Sequence, residues 1–172
     1  MSSRRAALWI LAFLVLAVAG GGLLAGGDED GGGVDELAVT GRVIDVVDGD
    51  TVRVRMGDRT ETVRYLGVDT PETVKPGTPV QCFGKQAGEY NRRLVEGRKV
   101  RLRYSVERRD RYGRLLAYVY VDGSRRSVNA DLIARGYGEE LVIPPNVEHA
   151  ERYRRLEQQA RDRRLGLWGA CR

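Results

Sequence analysis

The chain is poor in the side chains that most often bind transition metals. It has one histidine, His149, and two cysteines, Cys82 and Cys171, in 172 residues. One imidazole and two distant thiols do not make a tetrahedral ligand set, which argues against zinc. No loop has the spacing and terminal glutamate of an EF-hand, which removes that route to calcium. No stretch repeats within the chain, so at this length one compact domain plus extras is expected.

Long apolar runs are confined to the N-terminus. "MSSRR" is a basic start, "AALWILAFLVL" is apolar, and "AVA" at Ala17–Ala19 offers small residues for cleavage. This is the layout of a secretory signal peptide. Apolar and small residues continue from Ala6 to Ala25, long enough to span a bilayer, although Gly20–Gly22 interrupt them. Residues 1–25 therefore read as a signal peptide or an N-terminal membrane anchor. Either places the rest outside the cytoplasm, secreted or anchored to the outer face of the cell membrane. Residues 26–36, "GGDEDGGGVDE", read as a glycine-rich acidic linker before a domain at 37–172. In an exported chain the even cysteine count points to one disulfide, Cys82–Cys171. It would tie the start of the first helix to the chain end and contribute about 4–5 kcal/mol in the chain-entropy model.

What is abundant is arginine. From Leu37 onward there are 27 Lys and Arg against 19 Asp and Glu, a net of +8. A basic exported domain suits a polyanion: nucleic acid, an acidic surface polymer or anionic lipid. The late run holding Arg152, Arg154, Arg155, Arg161, Arg163 and Arg164 also reads as a solvated helix face.

The pattern after the linker is strand-like. "LAVTGRVIDVV" is rich in β-branched residues. "TVRVRM" alternates, with Val52, Val54 and Met56 on one face and Arg53 and Arg55 on the other. "TETVRYLGV" makes a third strand after a turn at Gly57–Arg59. A proline-marked loop precedes a helix over Phe83–Glu96, with Phe83, Ala87, Tyr90 and Leu94 as its apolar stripe. "KVRLRYSV" and "LLAYVYV" are strands four and five. Ser127 caps a short helix ending at Gly136, and a last helix runs from about Asn146 to Gly166 with Ala150, Tyr153, Leu156 and Ala160 facing inward. Five short strands with a helix between the third and fourth fit an α+β, mainly β fold, a small, partly open OB-type barrel with three helices.

Charged residues cluster where the strands end. "VVDGDTV" places Asp48 and Asp50 around Gly49 at the first break, and Asp69 leaves the third strand. If those strands are neighbours, Asp50 and Asp69 converge as oxygen ligands for a hard cation such as Ca²⁺; alone, Asp-Gly-Asp is also an ordinary turn. Arg64 sits mid-strand among apolar residues, where it needs a partner. That partner is Asp69 or Glu72 in a salt bridge, or a phosphate held through two parallel hydrogen bonds. Glu72 follows Pro71, which restricts where its carboxylate can point. Beside a cation it can orient or deprotonate water.

"DGDTV", "RYLGVDTPET", "RYGRLLAYVYVDG", "VN..LI..GY" and the late "PPN" occur here in one order over Ala38–Trp168. In that order and spacing the chain resembles the thermonuclease family, the staphylococcal nuclease-like proteins. The resemblance implies an OB barrel with three helices and a calcium-dependent nuclease acting on DNA and RNA without sequence preference, leaving 3′-phosphate ends. It implies that Asp50, Asp69 and the Thr70 carbonyl hold Ca²⁺, that Arg64 and Arg114 bind the phosphate, and that Glu72 acts on the attacking water. Asp48 and Tyr112 would lie beside them in support. A monomer is the expectation. The alternative is a nucleic-acid-binding OB module without catalysis. The chain departs from the family at "ELVIPPN", where Leu141 and Ile143 stand in place of base-stacking tyrosines, and in the loop after "DTPET", where Lys75 is the one basic residue.

Overall fold

Val52 and Val54 are fully buried, while Arg53 and Arg55, which alternate with them, are exposed. A period of two with one face in the core and one in water is the signature of a strand packed on a single side. The structure, a computed structural model, describes residues 38–73, 77 and 79–171. The expected signal or anchor at 1–25, the linker at 26–36 and Lys75 lie outside those residues.

Three strands meander first: β1 (Ala38–Val46), β2 (Thr51–Met56) and β3 (Arg59–Tyr65). Next come a short β4 (Val68–Asp69), helix α1 (Gly84–Val95), β5 (Lys99–Arg103) and β6 (Leu115–Val121). Helix α2 (Val128–Ala134), a two-residue β7 (Glu139–Glu140), α3 (Ala150–Asp162) and a single turn, α4 (Leu167–Ala170), complete the chain. The five longer strands close into a barrel in the order β1-β2-β3-β6-β5. All pairs are antiparallel except β3 and β6, which run parallel. The barrel is thus closed rather than partly open, because β1 pairs along its whole first half with β5, from Ala38 opposite Arg103 to Arg42 opposite Lys99. A bulge in β1 between Val43 and Asp45 sharpens its bend. Three main helices and five strands otherwise agree with the expected mainly β, OB-type architecture.

The last long helix is shorter than the sequence reading, Ala150–Asp162 instead of about Asn146 to Gly166, and two further details differ. The third strand stops at Tyr65 instead of running through Val68. Gly67 takes φ of +76°, and a Cβ there would lie 2.6 Å from the Tyr153 ring. The chain therefore turns and re-enters as β4, paired with β7. The inner line of α1 is Ala87, Asn91 and Val95, with Tyr90 and Leu94 only partly buried. Asn91 is fully buried because both ends of its amide are bonded: Tyr65 Oη donates to its Oδ1 at 3.0 Å, and its Nδ2 donates to the Asp48 carbonyl at 3.0 Å.

The core is built from Val43, Val52, Val54, Val63, Val100, Leu102 and Val119 inside the barrel, all completely buried. Burying one such side chain stabilises by about 1.5–3 kcal/mol. Leu132, Ile133 and Tyr153 seal one side where α2 packs on α3. The rim left beside this core carries the charged strand ends.

Candidate active site

The β1–β2 connection turns through Asp48, Gly49 and Asp50. Asp48 Oδ1 accepts from the Asp50 amide at 3.0 Å, a side chain closing its own turn. Asn91 holds the Asp48 carbonyl from the helix side, so the barrel core fixes this turn. Gly49 is required by close approach, since a Cβ would fall 2.5 Å from Thr70 Oγ1. That contact lets Thr70 reach Asp50: its amide and hydroxyl donate to Asp50 Oδ2 at 2.7 and 2.9 Å. The exit of β4 is thereby tied to the entry of β2.

Arg64 lies opposite Thr51 on one side and Leu116 on the other, with its side chain 13% exposed. Its Nη1 is 2.9 Å from Asp50 Oδ1 and donates to the Val68 carbonyl at 2.7 Å, while Nη2 donates to Asp69 Oδ1 at 2.6 Å. The partner of this mid-strand cation is therefore a pair, Asp50 and Asp69. Asp50 is 5% exposed. Its carboxyl is pushed up to about 7, by burial first and by the Asp48 charge, against the opposing pull of Arg64 and the Thr70 hydrogen bonds. The Arg64 guanidinium outweighs the Asp48 charge but does not offset the cost of burying the carboxylate.

Arg114 comes from the turn before β6. Its Nε donates to Asp110 Oδ2 at 2.7 Å, and its amide and that of Tyr112 donate to Asp110 Oδ1 at 3.0 and 2.9 Å. Burial disfavours the Asp110 charge, but these bonds outweigh it and hold the carboxyl below its ordinary range. The Tyr112 ring is 69% exposed, with the Arg114 guanidinium 5.5 Å from its centre. Glu72 accepts from the Thr73 amide at 2.8 Å.

All eight residues singled out from sequence, Asp48, Asp50, Arg64, Asp69, Thr70, Glu72, Tyr112 and Arg114, line one cleft of about 470 Å³. The ninth and tenth, Cys82 and Cys171, are bonded to each other with Cα atoms 5.9 Å apart, away from the cleft lining. A second groove, of about 510 Å³, shares Arg64, Tyr112 and Arg114 with the cleft and is also lined by Tyr65, Leu66, Leu116, Leu141 and Ile143. Among the described residues no three His, Cys, Asp or Glu form a ready-made metal cluster. The donors at hand, Asp50, Asp69 and Thr70, are all oxygen. An all-oxygen donor set fits a hard divalent cation better than a soft one.

Sequence reasoning missed Asp110, Asn91 and Gln81. "DRYGR" held a signal for the first, an aspartate opening a glycine turn four residues before an arginine. The other two are amides whose partners lie elsewhere in the chain, 43 residues away for Asn91 and nine for Gln81.

Residues 62–170 match the family described as staphylococcal nuclease homologues. Thermonuclease of Staphylococcus hyicus is 40% identical over 129 residues, covering 75% of this chain and 75% of that protein. Endonuclease YncB of Bacillus subtilis (strain 168) is 44% identical over 124 residues, covering 71% of this chain and 58% of the relative. The SPbeta prophage-derived endonuclease YokF of the same organism is also 44% identical, and there the matched region is 41% of the relative's length. The match thus spans three quarters of the staphylococcal protein but well under two thirds of either Bacillus protein.

Proposed function

We propose, for a chain that belongs to the staphylococcal nuclease homologue family, a calcium-dependent nuclease that hydrolyses phosphodiester bonds of DNA and RNA. Relatives in the family are named as thermonucleases and endonucleases, and the chain is a nuclease of that kind. The finer reading rests on one observation: two arginines, a glutamate and two aspartates from four separate segments line the same cleft.

Each group has a role that its surroundings support. Arg64 and Arg114, which both line the cleft, clamp the equatorial oxygens of the phosphate, where negative charge builds during in-line attack. Asp110 holds the Arg114 side chain by its Nε, which restricts where the guanidinium can swing. Glu72 orients or deprotonates the attacking water. Asp50, Asp69 and the Thr70 carbonyl would hold the cation. When bound, Ca²⁺ supplies charge neutralisation and polarises a phosphate oxygen. Departure of the 5′ oxygen leaves 3′-phosphate ends. Base contacts fall in the neighbouring groove, where Leu141 and Ile143 replace aromatic platforms. Stacking on an aromatic ring is worth about 1–3 kcal/mol per base, so contacts to the base are weaker or different here. The chain acts outside the cytoplasm, secreted or anchored, and as a monomer.

Plasmid DNA and RNA incubated with the protein in Ca²⁺ or in EGTA test this directly. Degradation of both polymers in Ca²⁺ and of neither in EGTA is expected. Cleavage that persists in EGTA removes calcium from the account, and cleavage of one polymer alone removes the broad substrate range.

A further inference from the structure

Glu72 stands outside the barrel strands, three residues past the end of β4. Its backbone is nonetheless held from both sides by one residue. The Glu72 amide donates to Gln81 Oε1 at 2.7 Å, and the Glu72 carbonyl accepts from the Gln81 amide at 2.9 Å. A strand residue exchanges such a pair of bonds with its neighbour on the next strand. Here a side-chain oxygen takes the place of the second carbonyl. With both backbone groups tied, Gln81 sets where the Glu72 side chain starts, and the Thr73 amide holds one of its carboxylate oxygens.

Gln81 is fixed in turn. Its carbonyl accepts from Gly84 at 3.1 Å, which turns the chain into α1. The next residue, Cys82, is bonded to Cys171, 89 residues later. The far end of that bond is seated firmly: the Cys171 amide donates to the Leu167 carbonyl at 2.9 Å, and the Leu167 amide donates to the Gly136 carbonyl at 2.8 Å, just past α2. A covalent line therefore runs from the helical side of the molecule to the residue gripping Glu72.

We infer that Gln81 is a positioning residue for Glu72, and that the Cys82–Cys171 disulfide holds Gln81 in register, so that turnover depends on the oxidation state of this pair. The inference rests on the nuclease reading and on Glu72 acting at the water. A dithiol such as dithiothreitol supplies two electrons and two protons, becomes a cyclic disulfide, and leaves Cys82 and Cys171 as thiols. The cleft residues are untouched by that exchange; what loosens is the segment that aims Glu72.

The test uses the whole chain and a short oligonucleotide substrate. Gln81→Leu removes the acceptor at similar volume, and Gln81→Glu keeps an acceptor oxygen. A loss of alignment at a reacting group costs up to about 100-fold. Gln81→Leu is expected to lower kcat about 10- to 100-fold with KM within about threefold, and Gln81→Glu to recover to within about fivefold of the parent. If Gln81→Leu is unfolded at the assay temperature by circular dichroism, Gln81→Asn, one methylene too short, takes its place with the same expectation. Dithiothreitol is expected to lower kcat of the folded parent in the same direction, reversibly on reoxidation, and to change Gln81→Leu by less than about twofold. A parent that cleaves and a folded Gln81→Leu with parental kcat would overturn the role of Gln81. Equal loss in the Leu and Glu variants would overturn it as well, since an acceptor oxygen at this position would then make no difference. Unchanged turnover of the reduced parent would overturn the disulfide's part. A parent that cleaves nothing would remove the nuclease reading itself, and this inference with it.

Discussion

Asp110 touches no metal ligand and does not line the main cleft, yet the account needs it. Its two oxygens take three donors, two of them from Arg114. A flexible arginine used as a phosphate clamp must be held before the phosphate arrives, or the clamp loses its preorganisation. The sign of the pH effect follows from the depressed carboxyl. A group whose pKa is lowered on folding stabilises the fold above its unfolded value, near pH 4, and that contribution disappears as pH falls through the folded value. The melting temperature of the parent is therefore expected to drop on acidification below about pH 4, and that of Asp110→Asn to drop less. Thermal melts from pH 6 to pH 3 measure the difference. Parallel curves would show that Asp110 is ionised alike in both states.

At the scale of elements, carboxamides do the work of missing strands. Asn91 ties α1 to the Asp48 turn, and Gln81 ties the start of α1 to Glu72. Asn146 accepts from the Glu107 amide at 2.8 Å and donates to its carbonyl at 2.9 Å, anchoring the loop between β5 and β6. Like Asn91, Asn129 is fully buried. It donates to the carbonyls of Leu66 and Ala117 and accepts from the Val119 amide, where β3 and β6 part. Asn129→Ala takes a partner from three backbone groups, of which the Ala117 carbonyl keeps the Leu66 amide at 3.0 Å; each group left unsatisfied costs about 1–3 kcal/mol. A loss of about 3 kcal/mol or more in denaturant unfolding is expected, and a change below 1 kcal/mol would mean that water replaces the amide readily.

These amides also mark the limit of what the sequence discloses. Val52 and Val54 announce their strand by alternation, and Asp48, Asp50 and Asp69 announce themselves by standing at strand breaks. Arg64 is conspicuous because a cation in an apolar strand needs a counter-charge. Nothing local says that β3 lies parallel to β6, or that β1 closes on β5. Both depend on pairings between residues more than 50 positions apart. For the same reason the inner face of α1 reads from hydrophobicity as Phe83, Ala87, Tyr90 and Leu94, while Asn91 is the one buried beside Ala87, since its partners come from β3 and the Asp48 turn.

For the molecule as a whole, the barrel supplies rigidity and its rim supplies charge. The domain from Leu37 carries a net +8, which draws a polyanion in but does not cut it. Cutting is assigned to the cleft alone, and that separation is the central claim. It is tested most directly by measuring cleavage and binding of the same oligonucleotide side by side for the parent, Glu72→Gln and Arg114→Ala in Ca²⁺. The account predicts turnover reduced by about 100- to 1,000-fold in both variants, with binding retained to within about tenfold. Variants that cleave at the parental rate would contradict it, and so would a parent that binds the oligonucleotide and leaves it intact.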